Sequence, residues 1–137
     1  MNVVIDTNVF ISGLLNADGE PARVLNPFLQ GKLTLLHDNR ILSEYEEVLK
    51  RPKFAFAPRQ VEHLLEFIRS EGVYVVADSS PVVFRDEDDQ AFYEVALSGG
   101  ASHLITGNRR HYPPGRMVKT PSEFLRMYQR GMHRSTP

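Results

Sequence analysis

Short β-prone apolar runs alternate with amphipathic helical stretches along this chain, and that alternation leaves few folds open. The runs lie at residues 2–5, 33–36, 73–76 and 103–106, with a shorter one at 117–118. Between them, apolar residues recur at helical spacing. Ala22, Leu25, Phe28 and Leu29 form one stripe; Ile41, Leu42, Tyr45, Val48 and Leu49 form a second. Val61, Leu64, Leu65 and Ile68 form a third, and Phe92, Val95, Ala96 and Leu97 a fourth. Strands that alternate with helices predict an α/β fold, a three-layer α/β/α sandwich on a mainly parallel sheet. The 137 residues suit one domain, placed at 1–130, with a basic and disordered tail at 131–137.

The punctuation agrees with this reading. Pro21 and Pro58 are placed to open helices, and Gly31 and Gly72 to close them. Asp38 or Asn39 is placed to cap the second stripe, and Asp88 or Asp89 the fourth. Thr120, Pro121 and Glu123 have the spacing of a capping box for a last helix. No apolar run is long enough to span a membrane, and Asp6 interrupts the N-terminal run too early for a signal peptide. The absence of cysteine excludes disulfides and thiolate metal sites and fits a cytoplasmic location.

The first strand ends abruptly on an acid, Asp6. In a parallel sheet the ligand site lies beyond the C-terminal ends of the strands, so Asp6 and the Thr106-Gly107-Asn108 segment belong on one rim. A carboxylate at the end of a buried strand is costly unless a cation or a ligand meets it. Two further acidic points stand out: Glu44, early in its helix, and the cluster Asp86-Glu87-Asp88-Asp89. Each acid has an ordinary alternative. Asp6, Asp88 and Asp89 suit helix N-caps, Glu44 suits the positive end of a helix, and Asp86 suits a loop. Together, three or four carboxylates that converge would repel one another unless a cation sits among them. Oxygen donors without Cys or paired His favour Mg²⁺ or Mn²⁺. Such ions promote phosphodiester hydrolysis by water, and the reaction class expected is metal-dependent nuclease chemistry.

Charge is unevenly spread. The net value is −1, but from Asn108 onward Arg109, Arg110, Arg116, Lys119, Arg126, Arg130 and Arg134 face only Glu123. A basic rim beside an acidic site suits a polyanion whose cleaved phosphate sits on metal, and a solvated basic face is the simpler alternative.

Three ordered blocks, spanning about residues 2 to 112, resemble the PIN domain family, in particular the PIN-type toxins of prokaryotic toxin–antitoxin systems. The first block is Val3-Val4-Ile5-Asp6-Thr7-Asn8-Val9-Phe10-Ile11-Ser12. The second runs from Ser43-Glu44-Tyr45 through Leu49 to Arg51-Pro52-Lys53-Phe54. The third is Asp86-Glu87-Asp88-Asp89-Gln90-Ala91-Phe92, then Ala96-Leu97 and Leu104-Ile105-Thr106-Gly107-Asn108. The resemblance implies a ribonuclease with Asp6, Glu44 and Asp89 as metal ligands, Asp88 as a neighbour able to share the task, and Asn108 in the catalytic set. Asn108 is the departure, because many members carry an acid there. It can offer an oxygen but no charge, which bears on how many metals bind. Thr7, Asn8, Ser12 and Thr106 are the supporting polar residues, and Arg109 and Arg110 the expected RNA contacts. His111 could touch a phosphate, although a lone His more often serves structure. A homodimer and an antitoxin partner are implied by the same resemblance. Two other readings compete. One is a degenerate PIN domain that binds RNA or protein without cutting, motivated by Asn108. The other is phosphotransfer through Asp6 as in haloacid dehalogenases, which want a second acid where this chain has Asn8.

Overall fold

The computed structural model describes residues 1–135, with side chains through residue 131. Strand β1 (Asn2–Ile5) leads into helices α1 (Thr7–Leu15) and α2 (Glu20–Leu29). Strand β2 (Thr34–His37) is followed by α3 (Asn39–Leu49) and α4 (Pro58–Glu71), with a 3-10 turn at Pro52–Phe54 between them. Then come β3 (Val73–Tyr74), α5 (Glu87–Ser98), β4 (His103–Ile105), a 3-10 turn at Arg109–His111, β5 (Val118–Lys119) and α6 (Pro121–Ser135).

The strands form one sheet in the order β3-β2-β1-β4-β5, and every pairing is parallel. Successive strand residues point to opposite faces. Val3, Val4 and Ile5 are all 0% exposed, so both faces of the central strand are covered. That is the α/β/α sandwich expected from the alternation of elements. Helix α5 packs across β1, β2 and β4 and also meets α3, while α2 packs on α6.

The strand order places a switch point between β1 and β4. From β1 the chain steps outward to β2 and β3, then returns to the other side of β1 as β4. Ile5 pairs with Ile105, and the Asp6 N–H donates to the Ile105 carbonyl at 2.9 Å. That register sets Asp6 and Thr106 side by side at the carboxyl end of the sheet, where ligands bind in open α/β folds.

Two elements differ from expectation. The β-prone run at 73–76 gives a strand of only two residues, Val73–Tyr74. It lies at the sheet edge, where Val73 and Tyr74 are half exposed, and Val76 is 86% exposed and outside the ladder. With a partner on one side only, β-propensity has less packing to act through. Helix α6 runs through residues 131–135, which composition assigned to a disordered tail, and residues 136 and 137 lie outside the described ones.

Candidate active site

Asp6 caps a helix and is also a candidate site residue. It precedes α1 as N-cap, and one of its carboxylate oxygens, Oδ1, accepts from the Asn8 N–H at 3.2 Å. Its other oxygen, Oδ2, accepts from the Thr106 hydroxyl at 2.9 Å and from the Tyr112 hydroxyl at 3.3 Å. The side chain is almost fully buried. Burial raises its carboxyl pKa above the ordinary range, against the opposing effect of those three hydrogen bonds and the charge of His111.

The Tyr112 hydroxyl also lies 3.3 Å from Oδ1 of Asp89. One phenol therefore joins the acid at the end of β1 to an acid in the first turn of α5. Asp89 is raised as well, first by burial and then by the charges of Asp6 and Asp86, with His111 and Tyr112 opposing. Nδ1 of His111 approaches Asp89 Oδ2 at 3.3 Å.

A second acidic pair lies alongside. Glu44 on α3 faces Asp88 on α5, whose carboxylate acts on it. Burial first, then Asp88 and Glu47, push the Glu44 carboxyl up to about 7, while Arg51 opposes. Asp88 does not cap α5; that role falls to Asp86, whose side chain accepts from the Asp88 N–H at 3.0 Å.

The sequence leads one to expect three or four acids on one point; the structure instead brings them together as two pairs, Asp6 with Asp89 through Tyr112 and Glu44 with Asp88. Among the described residues no three His, Asp or Glu side chains are gathered closely enough to hold a metal ion. Hydrogen bonds from Thr106 and Tyr112 restrain Asp6. The donor chemistry fits a hard divalent ion: every candidate donor is an oxygen, from a carboxylate or from the Asn108 amide, and the chain has no cysteine. Burial raises all three carboxyls of Asp6, Glu44 and Asp89, and neighbouring acids add to the rise in Glu44 and Asp89. Beside Asp6, the buried hydroxyl of Thr7 has no hydrogen-bond partner among the described residues.

The supporting residues divide. Thr106 is fully buried; it donates to Asp6 and its Oγ1 accepts from the Asn108 N–H at 3.0 Å. Asn108 lies on the same rim with an exposed side chain. Asn8 and Ser12 are exposed, and their side chains make no hydrogen bond to Asp6 among the described residues. Arg109 turns toward α6, where its guanidinium meets Glu123 at 2.9 Å. Arg110 instead lines a cavity of about 480 Å³ beside Asp89, together with Val83, Phe84, Arg85, Asp86 and His111.

Tyr112 carried no signal in the sequence, because a tyrosine in a Pro-rich loop has no diagnostic spacing. Nor did the group that ties the acidic helices together. Arg40 on α3 reaches Asp38 and, at 2.7 Å, the buried Glu94 on α5. Glu94 Oε2 also accepts from the Ser80 N–H at 2.6 Å and from the Gln90 amide at 3.1 Å.

The sequence pattern of the PIN domain matches residues 2–110. A similar protein, 33% identical over 112 residues, is an uncharacterized protein of Methanocaldococcus jannaschii; the aligned part covers 80% of this chain and 72% of that protein. The matched segment contains Asp6, Glu44, Asp88, Asp89 and Asn108.

Proposed function

The chain belongs to the PIN domain family, a family of nucleases, and on that premise we propose that it is an Mg²⁺- or Mn²⁺-dependent endoribonuclease. The observation that carries this reading is the pairing of Asp6 and Asp89 through Tyr112 at the switch point of the sheet, with proton affinities raised in both acids. A cleft that concentrates unneutralised carboxylates suits a divalent cation.

Asp6 and Asp89 would hold the ion, with Glu44 and Asp88 beside them, and Asn108 contributing its neutral oxygen. The ion supplies Lewis acidity, drawing charge from a phosphodiester and easing deprotonation of water. The chain's own groups set the stage for this. Thr106 and Tyr112 fix the orientation of Asp6. Tyr112 fixes Asp89 at the same time. Arg110, which has no ion pair among the described residues, supplies positive charge at the rim for the RNA backbone. Arg109 is engaged with Glu123 and stands in reserve for the same task.

The resemblance to PIN-type toxins supports a finer reading: the toxin component of a toxin–antitoxin pair, acting as a homodimer and restrained by an antitoxin protein. Exposed Leu14, Leu15 and Leu29 give the helical side of the molecule apolar surface suited to a protein partner. No helix among the described residues is long and apolar enough to cross a membrane.

The test is cleavage of a panel of labelled single-stranded RNAs by purified protein with Mg²⁺ or Mn²⁺. Cleavage is expected to stop with EDTA and in an identically purified Asp6→Asn variant. Equal cleavage by that variant would point to a contaminant. No cleavage with either metal, alongside retained RNA binding, would favour the non-catalytic module that Asn108 suggests.

A separate prediction concerns Tyr112, a positioning residue. Tyr112→Phe removes one donor shared by two carboxylates and leaves the ring in place. Hydrogen bonds to charged groups contribute about 1.5–3 kcal/mol, and these two are long, so the acid limb of the pH–rate profile should move upward by about half a pH unit. The melting temperature should change little. A lower rate with an unmoved pH profile would assign Tyr112 to packing alone.

A further inference from the structure

The cavity beside Asp89 has features that metal binding does not explain. One wall is the segment that enters α5, with Val83 94% exposed and Phe84 next to it. A large apolar side chain so exposed beside a charged cleft has no packing role in the isolated chain. Phe84 is half buried and held in place by other rings: its centroid lies 5.4 Å from Tyr93 and 6.0 Å from Tyr112. Tyr112 in turn contacts both Asp6 and Asp89. An aromatic wall is thus fixed relative to the acids. Arg85 and Arg110 also line the cavity, and neither has an ion pair among the described residues. Most other arginines of the α3–α5 region are engaged: Arg40 with Glu94, Arg51 with Glu47, Arg69 with Glu46. His111 adds a ring at the same rim.

We propose that this cavity is a nucleotide subsite that takes one unpaired base of the RNA against Val83 and Phe84 while Arg85 and Arg110 hold the adjoining phosphate. The inference rests on the ribonuclease reading and extends it to the form of the substrate. Apolar and aromatic surface accepts the face of any base, and two guanidinium groups match phosphate oxygens better than point charges do. A volume of about 480 Å³ is within the range of small-ligand sites and has room for a base with its sugar. The two acids in the lining do not oppose this arrangement. Asp86 is engaged as the cap of α5, and Asp89 belongs to the cation-binding pair. A base stacked and paired within a duplex cannot enter such a cavity, so the substrate must present a single strand or a loop.

The test separates the subsite from the chemistry. Adenosine, guanosine, cytidine and uridine 5′-monophosphates, with inorganic phosphate as control, are titrated into metal-free full-length protein and followed by amide shifts in ¹H–¹⁵N NMR. In parallel, cleavage of one RNA sequence is measured as a single strand and as a duplex. Saturable shifts are expected at residues 83–86 and 110–111 for at least one nucleotide. They should weaken at least fivefold in Arg85→Ala/Arg110→Ala, whose exposed positions leave the fold intact. Duplexing should slow cleavage at least tenfold, and the double variant should raise KM more than it lowers kcat. Nucleotide binding at these residues without RNA cleavage would keep the subsite and remove the ribonuclease reading. Cleavage with no nucleotide shifts there, or an unchanged KM in the double variant, would overturn the subsite and leave the ribonuclease. Equal shifts from inorganic phosphate alone would overturn the base-binding half of the proposal.

Discussion

Asp6→Asn should abolish RNA cleavage while leaving the metal-free protein at least as stable as the parent. The loss should exceed about 100-fold, since changing groups that only orient metal ligands already costs about 10–100-fold. The stability expectation follows from the sign of the pKa shift. Burial raises the Asp6 carboxyl in the folded chain above its unfolded value. Protonation therefore favours the fold. The stabilising contribution is full below the ordinary aspartate pKa and is lost as pH rises through the raised folded value. At neutral pH an ionised Asp6 is a net burden on the metal-free protein, and Asn keeps the shape without the charge. Its oxygen can still accept from the Asn8 N–H, which preserves the cap. Glu44, pushed up to about 7, and Asp89 carry shifts of the same sign. The metal-free parent should accordingly melt at a lower temperature at pH 8 than at pH 5.5, and Mg²⁺ or Mn²⁺ should restore much of the difference at pH 8. The variant should show less of both effects. Melting curves by circular dichroism at two pH values, with and without metal, check all of this. An Asp6→Asn protein that melts well below the parent at pH 8 would mean that the carboxylate serves α1 more than the site.

The pattern of legible and hidden features has a physical basis. Asp6 and Thr106 were placed on one rim from the sequence alone, because each directly follows a short apolar strand and a parallel sheet aligns the carboxyl ends of its strands. The acids of the first turn of α5 were legible for the same kind of reason, since local patterning fixed the helix start. Three things were hidden because they depend on tertiary neighbours. Arg109 and Arg110 are equivalent in sequence, yet the 3-10 turn sends the first to Glu123 and the second to the cavity. Tyr112 acquires its place from the path of the loop after that turn. Glu94 falls off the apolar stripe of Phe92, Val95 and Ala96 and reads as a solvent-facing acid, but it is only 3% exposed. Helix α5 packs on β1, β2, β4 and α3 and is therefore covered on more sides than a peripheral amphipathic helix. The number of sides a helix buries is set by where it docks, and periodicity does not report that.

Glu94 is where the second large effect is expected. Its carboxylate ends three contacts at once: the Arg40 guanidinium from α3, the Ser80 N–H from the loop before α5, and the Gln90 amide one turn earlier on α5. Burial pushes its pKa up, but those partners outweigh it and hold the carboxyl below the ordinary glutamate value. Glu94→Ala would leave the Ser80 N–H without its acceptor and Arg40 with Asp38 alone. Removing one partner of a fully buried pair costs about 3–5 kcal/mol. Arg40 is 49% exposed and can regain water, so the expected loss is smaller, about 2–3 kcal/mol. For a domain of this size that is a fall of roughly 6–10 °C in melting temperature. Here the sign of the shift is opposite to that of Asp6. A lowered pKa gives stability that is present above the ordinary glutamate value and is lost as pH falls through the folded one. The gap between parent and variant should therefore be full at pH 7 and close under acid. The consequence reaches the site, because Arg40 and Glu44 share α3, Glu94 shares α5 with Asp88 and Asp89, and Ser80 anchors the loop that carries Val83 to Asp86. The ion pair links the helix that carries Glu44 to the helix that carries Asp88 and Asp89. Glu94→Gln, which keeps the acceptor for Ser80 but not the charge for Arg40, should recover part of the stability. A variant series in which cleavage falls in step with the lost Arg40 contact, at temperatures where every protein is folded, would show that the spacing of α3 and α5 governs the chemistry. Full activity in folded Glu94→Ala would confine the ion pair to stability.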